Sequence, residues 1–389
     1  MVVGVVKETF PGERRVGLVP AVIPAILKTG AEVLVDAGAG VEAGFPDEQY
    51  REKGARIARD RGEVFAAADV VCMVRTYGAN PGGAGDLELY RQDQTIIGLS
   101  EPLTELAPIE RLAQTGVRTF ALELVPRITR AQAMDVLSSQ ATIGGYKAVA
   151  LAVDTLPKLF PMMMTAAGTI APAKVFVVGA GVAGLQAIAS AKRAGAVVYA
   201  IDVRPEVKEQ VESLGGKFVE LPVKAAEGEG GYAREQTAEE RAQQQQLMAD
   251  TVAECDVVIT TAAVPGKRAP RLITAEVVRR MRPGTLIVDM AAERGGNCEL
   301  TKPDEVVKEN GVMILGPTNM PATIPQDASR MFAKNVANLL GLIIKEGVLT
   351  LDRADEVITG TMLTEHGDIV HAFAREVFEL PPLEHAASE

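Results

Sequence analysis

The chain has 389 residues, of which 47% are hydrophobic and 23% charged, and a net charge of −11. Its length predicts two domains, and its composition excludes a disordered or low-complexity polypeptide. The acidic balance argues against nucleic acid or an anionic membrane surface as a direct ligand, because both require clustered Lys and Arg.

The start, MVVGVVKETF, meets Lys7 and Glu8 too early for a secretory hydrophobic core, which predicts a cytosolic protein. Cys72, Cys255 and Cys298 are far apart and in no metal-ligand spacing, so they read as reduced thiols. Short Val/Ile-rich runs then alternate with Ala-rich helical stretches: AEVLVDAG near residue 31, ADVVCMV near 68, TIIGLS near 95 and VRTFALE near 117. That alternation predicts a parallel sheet with helical crossovers.

From about Arg130 to Asp154 the spacing is helical, and this segment would join a first domain to a second. It overlaps PRITRAQAMDVLSSQATIGGYKAV, Pro126 to Val149, where an arginine, a glutamine, an aspartate and several hydroxyls interrupt an apolar chain. Gln132, Asp135 and Ser138 recur every third residue, so a helical turn would set them on one side; spacing alone favours a solvated face.

A second series begins with KVFVVGAG at Lys174 and continues with AVVYAIDV from 196, KFVEL from 217, CDVVITT from 255, GTLIVDMA from 284 and GVMILG from 311. The charge-free run Val175 to Ala191 falls short of the ~20 residues of a membrane-spanning helix and contains three glycines. The tract AEERAQQQQLMAD from Ala238 reads as a polar helix face. An apolar helix from Asp327 to Lys345 follows the last strand and suggests that the chain crosses back. The expected architecture is therefore α/β: two Rossmann-like domains with parallel sheets and a cleft between them. The first is discontinuous, residues 1–137 plus 326–380, and the second spans 138–325.

In the second domain, Gly179, Gly181 and Gly184 have G-x-G-x-x-G spacing between a strand and a helix, and Asp202 closes the next strand. Gly179 permits the tight turn, Gly181 lets backbone amides approach a pyrophosphate, and Gly184 allows close helix packing. Asp202 would accept hydrogen bonds from an adenosine ribose diol and repel a 2′-phosphate, which favours NAD over NADP. Arg204, two residues on, counteracts that repulsion in part. Further along, Gly228, Gly230 and Gly231 lead to Tyr232 in a stretch that reads either as an exposed connection or as a closing lid.

Dehydrogenases of alcohols, hydroxy acids or amino acids move a proton as well as a hydride, and a positioned His or Lys usually carries it. The only histidines, His366, His371 and His385, fall in the last 24 residues; Lys7 and Lys147 sit in no arrangement that marks a base. Hydride exchange between two nicotinamide rings needs no such group.

Together, KETFPGERRVGLVP, PRITRAQAMDVLSSQATIGGYKAV, VGAGVAGLQAIASAKRAGAVVYAIDVRP, GGYARE and TTAAVPGKRAP closely resemble domain I, the NAD(H)-binding component, of proton-translocating NAD(P) transhydrogenases, over nearly the whole chain. The resemblance implies that Arg127, Ile128, Thr129, Gln132, Asp135 and Ser138 contact the nicotinamide, its carboxamide or the adjoining ribose, with Gln132, Asp135 and Arg127 as the catalytic set. It assigns Val182, Ala183 and Gly184 to the pyrophosphate turn, and Asp202, Val203 and Arg204 to the adenosine side. It also assigns Gly231 and Tyr232 to a mobile closing loop, with Ala263 and Gln244 completing the set. It further implies NADP(H) on a partner subunit, transmembrane partner subunits, a homodimer, no direct membrane insertion, and a cytoplasmic location held peripherally at the cell membrane.

Alanine dehydrogenases share the architecture and the N-terminal pattern of Lys7, Glu8, Arg15 and Pro20. They use a lysine and a histidine around their substrate, where this chain reads Arg75 and Leu99–Ser100. Arg15 remains, as a site for a small carboxylate or as an ion-pair partner. An NAD-sensing module that regulates a partner is a third, non-catalytic reading.

Overall fold

The computed structural model describes residues 1–220, 238–263, 266 and 268–383, without the side chains at 81, 238–242, 244 and 245. The chain forms two compact units, Met1–Gln140 with Pro321–Glu389, and Ala141–Met320.

In the first unit, β1 (Val2–Val5), β2 (Glu32–Asp36), β3 (Arg56–Ala58), β4 (Val70–Arg75), β5 (Thr95–Leu99) and β6 (Arg118–Ala121) pair in the order β3-β2-β1-β4-β5-β6, all parallel. The period of two sorts side chains to opposite faces: Val70, Cys72 and Val74 join one apolar cluster, Val71 and Met73 another. Both faces are covered, which is why these strands read as continuous apolar runs. Val64 and Phe65 of the Arg61–Ala67 helix lie on one face, and a side chain at Gly4 would stand only 2.6 Å from Val64. On the other, Phe332, Val336, Leu339, Leu340 and Ile343 come from the returning Pro325–Ile343 helix, whose buried positions recur every three or four residues.

The second unit begins within the Val136–Thr155 helix, which a two-stranded hairpin follows, β7 (Met163–Thr165) and β8 (Gly168–Ile170). Its main sheet contains β9 (Lys174–Val178), β10 (Val197–Ile201), β11 (Lys217–Phe218), β12 (Val257–Thr260), β13 (Leu286–Asp289), β14 (Val306–Glu309) and β15 (Val312–Leu315), in the order β11-β10-β9-β12-β13-β15-β14. All neighbours are parallel except β14 and β15. Ala148, Val149, Ala152, Ala187, Ile188 and Ala191 cover one face, and Met248, Val252 and Val278 the other. The chain re-enters the first unit at Pro321, and the Pro325–Ile343 helix is followed by a short hairpin, β16 (Ile344–Lys345) and β17 (Val348–Leu349). There β18 (Met362–Glu365) and β19 (Asp368–Ile369) add antiparallel beyond β6.

The two Rossmann-like parallel sheets expected from the sequence are present, with two departures. Each sheet gains antiparallel strands at an edge, and both additions turn on a pair of residues with positive φ: His366 and Gly367 between β18 and β19, Asn310 and Gly311 between β14 and β15. The helical stretch expected from 130 to 154 is two elements, a 3-10 turn over Thr129–Met134 and an α-helix over Val136–Thr155. The charge-free run from Val175 divides into β9 and the Val182–Arg193 helix, and among the described residues no helix is long and apolar enough to cross a membrane.

Candidate nucleotide-binding site

The strand order of the second unit reverses direction between β9 and β12, so their carboxyl ends border the crevice where open α/β sheets bind ligands. Gly179 follows β9 with φ +98°, and a Cβ there would stand 2.7 Å from Thr261 Oγ1. A Cβ at Gly184 would stand 1.9 Å from the Gly179 carbonyl oxygen, so the first helical turn packs directly on the strand exit. Gly181 differs from both. Its backbone is extended (φ −75°, ψ −167°), and a Cβ there would meet nothing within 4 Å among the described residues.

Gly181 is also the N-cap of the Val182–Arg193 helix, and among the described residues no side-chain cap closes that end. The first-turn amides and the positive end of the helix dipole thus point out beyond β9. Gly145 seats this helix: a Cβ on it would stand 2.2 Å from the Ala183 carbonyl oxygen, so Gly145 lets the Val136–Thr155 helix approach. On the opposite lip, Thr261 donates to the Gly179 carbonyl at 3.0 Å. Asn297, fully buried, accepts from the Ala262 amide at 3.1 Å and donates to the Ala262 and Pro270 carbonyls at 2.8 Å each. Ala263 beside them is exposed. Beneath, the buried Asp289 carboxylate accepts from Thr260, Thr301 and the Ala291 and Cys298 amides, tying β12 to β13.

At the end of β10, Asp202 accepts from the Ala180 amide at 2.7 Å and from the Arg204 amide at 2.9 Å. The Arg204 guanidinium adds a two-pronged pair, Nε to Oδ1 at 3.0 Å and Nη2 to Oδ2 at 3.1 Å. Burial opposes ionisation of Asp202, but the Arg204 guanidinium and the two amides outweigh it and hold the carboxyl below its ordinary range. Val203 next to it is 70% exposed.

In the first unit, the segment after Pro126 carries its own set. Arg127, Thr129 and Gln132 are exposed, while Ile128, Asp135 and Ser138 are half-buried. The three-residue recurrence of Gln132, Asp135 and Ser138 does not come from one helix. Gln132 lies in the 3-10 turn, Asp135 leaves helical geometry at ψ 94°, and Ser138 starts the next helix. The reason is capping: Asp135 accepts from the Ser138 amide at 2.8 Å and its hydroxyl at 2.6 Å, a role that suits Asp at a helix start and not within a helix. Asn335 and Asn338 both donate to the Ala133 carbonyl, and Arg130 pairs in two-pronged fashion with Asp355.

Arg15 is an ion-pair partner. It donates Nε and Nη2 to the two oxygens of Glu13 at 2.8 and 2.7 Å and Nη1 to Gln140 at 2.9 Å, with only 2% of its side chain exposed. Arg75 reaches Glu13 at 3.2 Å and lies over the Phe10 ring. Burial disfavours the Glu13 carboxylate, but Arg15 and then Arg75 overcome it and bring its pKa down to about 2. Glu8 goes the other way: burial dominates its contacts with the Val74 and Arg75 amides and pushes its pKa up to about 7. His371 is a helix cap, accepting from the Ala374 amide at 3.2 Å, and His366 lies in the turn after β18.

The expected site residues therefore fall into two groups, one in each unit. Gly231 and Tyr232 lie outside the described residues, as does the Gln244 side chain, whose backbone belongs to the Ala238–Glu254 helix. Sequence reasoning misses Thr261, Asn297 and Gly145. Asn297 has a signal, since it follows Gly295 and Gly296, both at positive φ.

The family model for the alanine dehydrogenase/PNT N-terminal domain matches residues 4–144, and that for the C-terminal domain matches 148–372. An NAD(P) transhydrogenase alpha-subunit chain of Rhodospirillum rubrum is 44% identical over 376 residues, 95% of this chain and 98% of that protein. A solved transhydrogenase from Sinorhizobium meliloti superposes with a TM-score of 0.85 at 43% identity, over 95% of this chain and 100% of the other. An L-alanine dehydrogenase structure gives 0.82 at 25% identity, over 97% and 99%. These matches span nearly the whole chain, with the higher identity on the transhydrogenase side: the chain belongs to the alanine dehydrogenase/PNT family, among the NAD(P) transhydrogenase alpha subunits.

Proposed function

We propose that the chain is the NAD(H)-binding subunit of a proton-translocating NAD(P) transhydrogenase, working in direct hydride transfer between NADH and NADP⁺ held on a partner subunit. The observation that carries this reading is Gly181. Gly179 and Gly184 answer to the protein's own packing, whereas a Cβ at Gly181 would meet nothing within 4 Å among the described residues outside its immediate chain neighbours. Glycine there keeps room for a group from outside, beside amides and a dipole suited to a pyrophosphate.

NADH supplies the hydride when bound. Val182, Ala183 and Gly184 would hold its pyrophosphate, and Asp202, Val203 and Arg204 its adenosine, with Ala263 and Gln244 alongside. Arg127, Ile128, Thr129, Gln132, Asp135 and Ser138 would orient the nicotinamide end, and Gly231 and Tyr232 would exclude water. The chain's part in catalysis is positioning, which in well-oriented reactions is worth roughly 7–11 kcal/mol of barrier. It needs no general base, in keeping with a buried Arg15 committed to Glu13 and a His371 committed to a helix cap. In this reading the membrane-spanning and NADP(H)-binding parts are partner subunits, the chain pairs as a homodimer, and it is held at the cytoplasmic face of the membrane.

The test is reconstitution. The purified chain should bind NADH in a calorimetric titration, yet transfer no hydride to NADP⁺ or to pyruvate plus ammonia until the NADP(H)-binding partner is added. Gln132→Asn should slow the reconstituted reaction about tenfold or more with little change in NADH affinity, the pattern of an interaction used in the transition state. Alanine-dependent reduction of NAD⁺ by the chain alone would overturn the assignment.

A further inference from the structure

The acceptor capacity of Asp202 is already spent within the protein. A carboxylate offers about four lone-pair positions. Oδ1 accepts from the Arg204 amide and Nε, and Oδ2 from the Ala180 amide and Arg204 Nη2. A ribose diol that docks on this carboxylate must donate two hydrogen bonds, so two of the four present donors have to leave. The Ala180 and Arg204 amides are fixed by the strand exits. The guanidinium is not: its side chain is 50% exposed, against 7% for Asp202, so water replaces its lost contacts and its ion pair is of the weak, exchangeable kind.

We propose that Arg204 is a displaceable internal ligand of the diol subsite, holding the places of the 2′- and 3′-hydroxyls on Asp202 until they arrive. This rests on the NAD(H) reading above. The two amides keep the carboxylate oriented throughout, and the guanidinium keeps its charge compensated. Specificity at this point is then an exchange of donors. A 2′-hydroxyl can replace the guanidinium on Asp202, whereas a 2′-phosphate has no hydrogen to give and cannot. Arg204 thereby lowers the net gain from the hydroxyls, because part of what they form is offset by what they release.

A thermodynamic cycle between ligand and side chain measures the competition. The full chain, its Arg204→Gln variant and its Arg204→Lys variant are titrated calorimetrically with 5′-AMP and with 2′,3′-dideoxy-5′-AMP. Removing the two hydroxyls should weaken binding to Arg204→Gln at least about threefold more than to the native chain, since nothing there stands in for them, with Arg204→Lys in between. An equal loss in all three proteins, or a larger loss in the native chain, overturns the proposal while leaving the NAD(H) site intact. Failure of the native chain to bind 5′-AMP at all overturns both.

Discussion

The two units share a strand order but fill the same topological position differently. In each, the first five strands of the sheet are ordered third, second, first, fourth, fifth, and the crevice opens where the first and fourth strands part. In the second unit a helix starts at Val182, directly after the glycine turn that leaves β9, with no side-chain cap at its start among the described residues. In the first, the chain beyond β1 runs to Pro20 before the next helical turn and lays Glu8, Glu13 and Arg15 over the strand ends. One switch point presents backbone donors outward; the other is satisfied by its own carboxylates and guanidinium groups. The lesson is that topology nominates a crevice, and local chemistry decides whether it is a site or a staple.

The comparison breaks most severely at Glu13. Glu13→Ala leaves the buried Arg15 guanidinium without its two-pronged partner, and the expected loss is about 3–5 kcal/mol in chemical denaturation. NADH affinity, measured on the folded fraction, should be unchanged if this cluster is structural. A tenfold loss of affinity with native stability would make it part of the site.

Glu8 tests the same cluster through pH. Its pKa in the folded protein, about 7, lies above the ordinary carboxyl value, so the folded state binds more protons between the two. Its contribution is fully present below the unfolded value, near 4.3, and is lost as pH rises through 7. Glu8→Gln should therefore flatten the decline in stability between pH 5 and 8, gaining about 1–3 kcal/mol at the upper end. Glu13, depressed to about 2, acts in the opposite sense: its contribution stands above the unfolded value and fades as pH falls through 2. Thermal unfolding across pH on the native and Glu8→Gln chains separates them, and parallel curves would refute the assignment.

The smallest change sharpens the other side. Gly181→Ala should leave unfolding stability within about 0.5 kcal/mol and weaken NADH about tenfold. Gly184→Ala, whose Cβ would strike the Gly179 carbonyl, should instead cost about 3 kcal/mol or more. Equal effects of the two substitutions on stability would remove the reason for singling out Gly181.

What can be read from the sequence follows from how local the cause is. The central strands are apolar on both faces, so AEVLVDAG or CDVVITT announces itself without a partner in view. Asn310–Gly311 marks the β14–β15 hairpin just as plainly, but a uniformly parallel reading of the series hides it. The glycine triplet is legible for the same local reason, since turn, helix start and packing fall within six residues of chain. Arg15 can be read two ways because its other partner, Gln140, is 125 positions away; Asn335 reaches Ala133 across 202. Such pairs have no spacing to recognise, and the break at Asp135 is hidden by a spacing that mimics a helix.

The returning Pro325–Ile343 helix has a consequence for biogenesis. It roofs one face of the first sheet, yet the ribosome makes it only after the whole of Ala141–Met320. While the nascent chain grows, Val70, Cys72, Val74 and Phe120 lack the part of their cluster that Phe332, Val336, Leu339, Leu340 and Ile343 supply, whereas the second unit is contiguous and can close as soon as it emerges. The portion translated first is thus the portion completed last, and in the interval its half-covered apolar face is what a holding chaperone would grip.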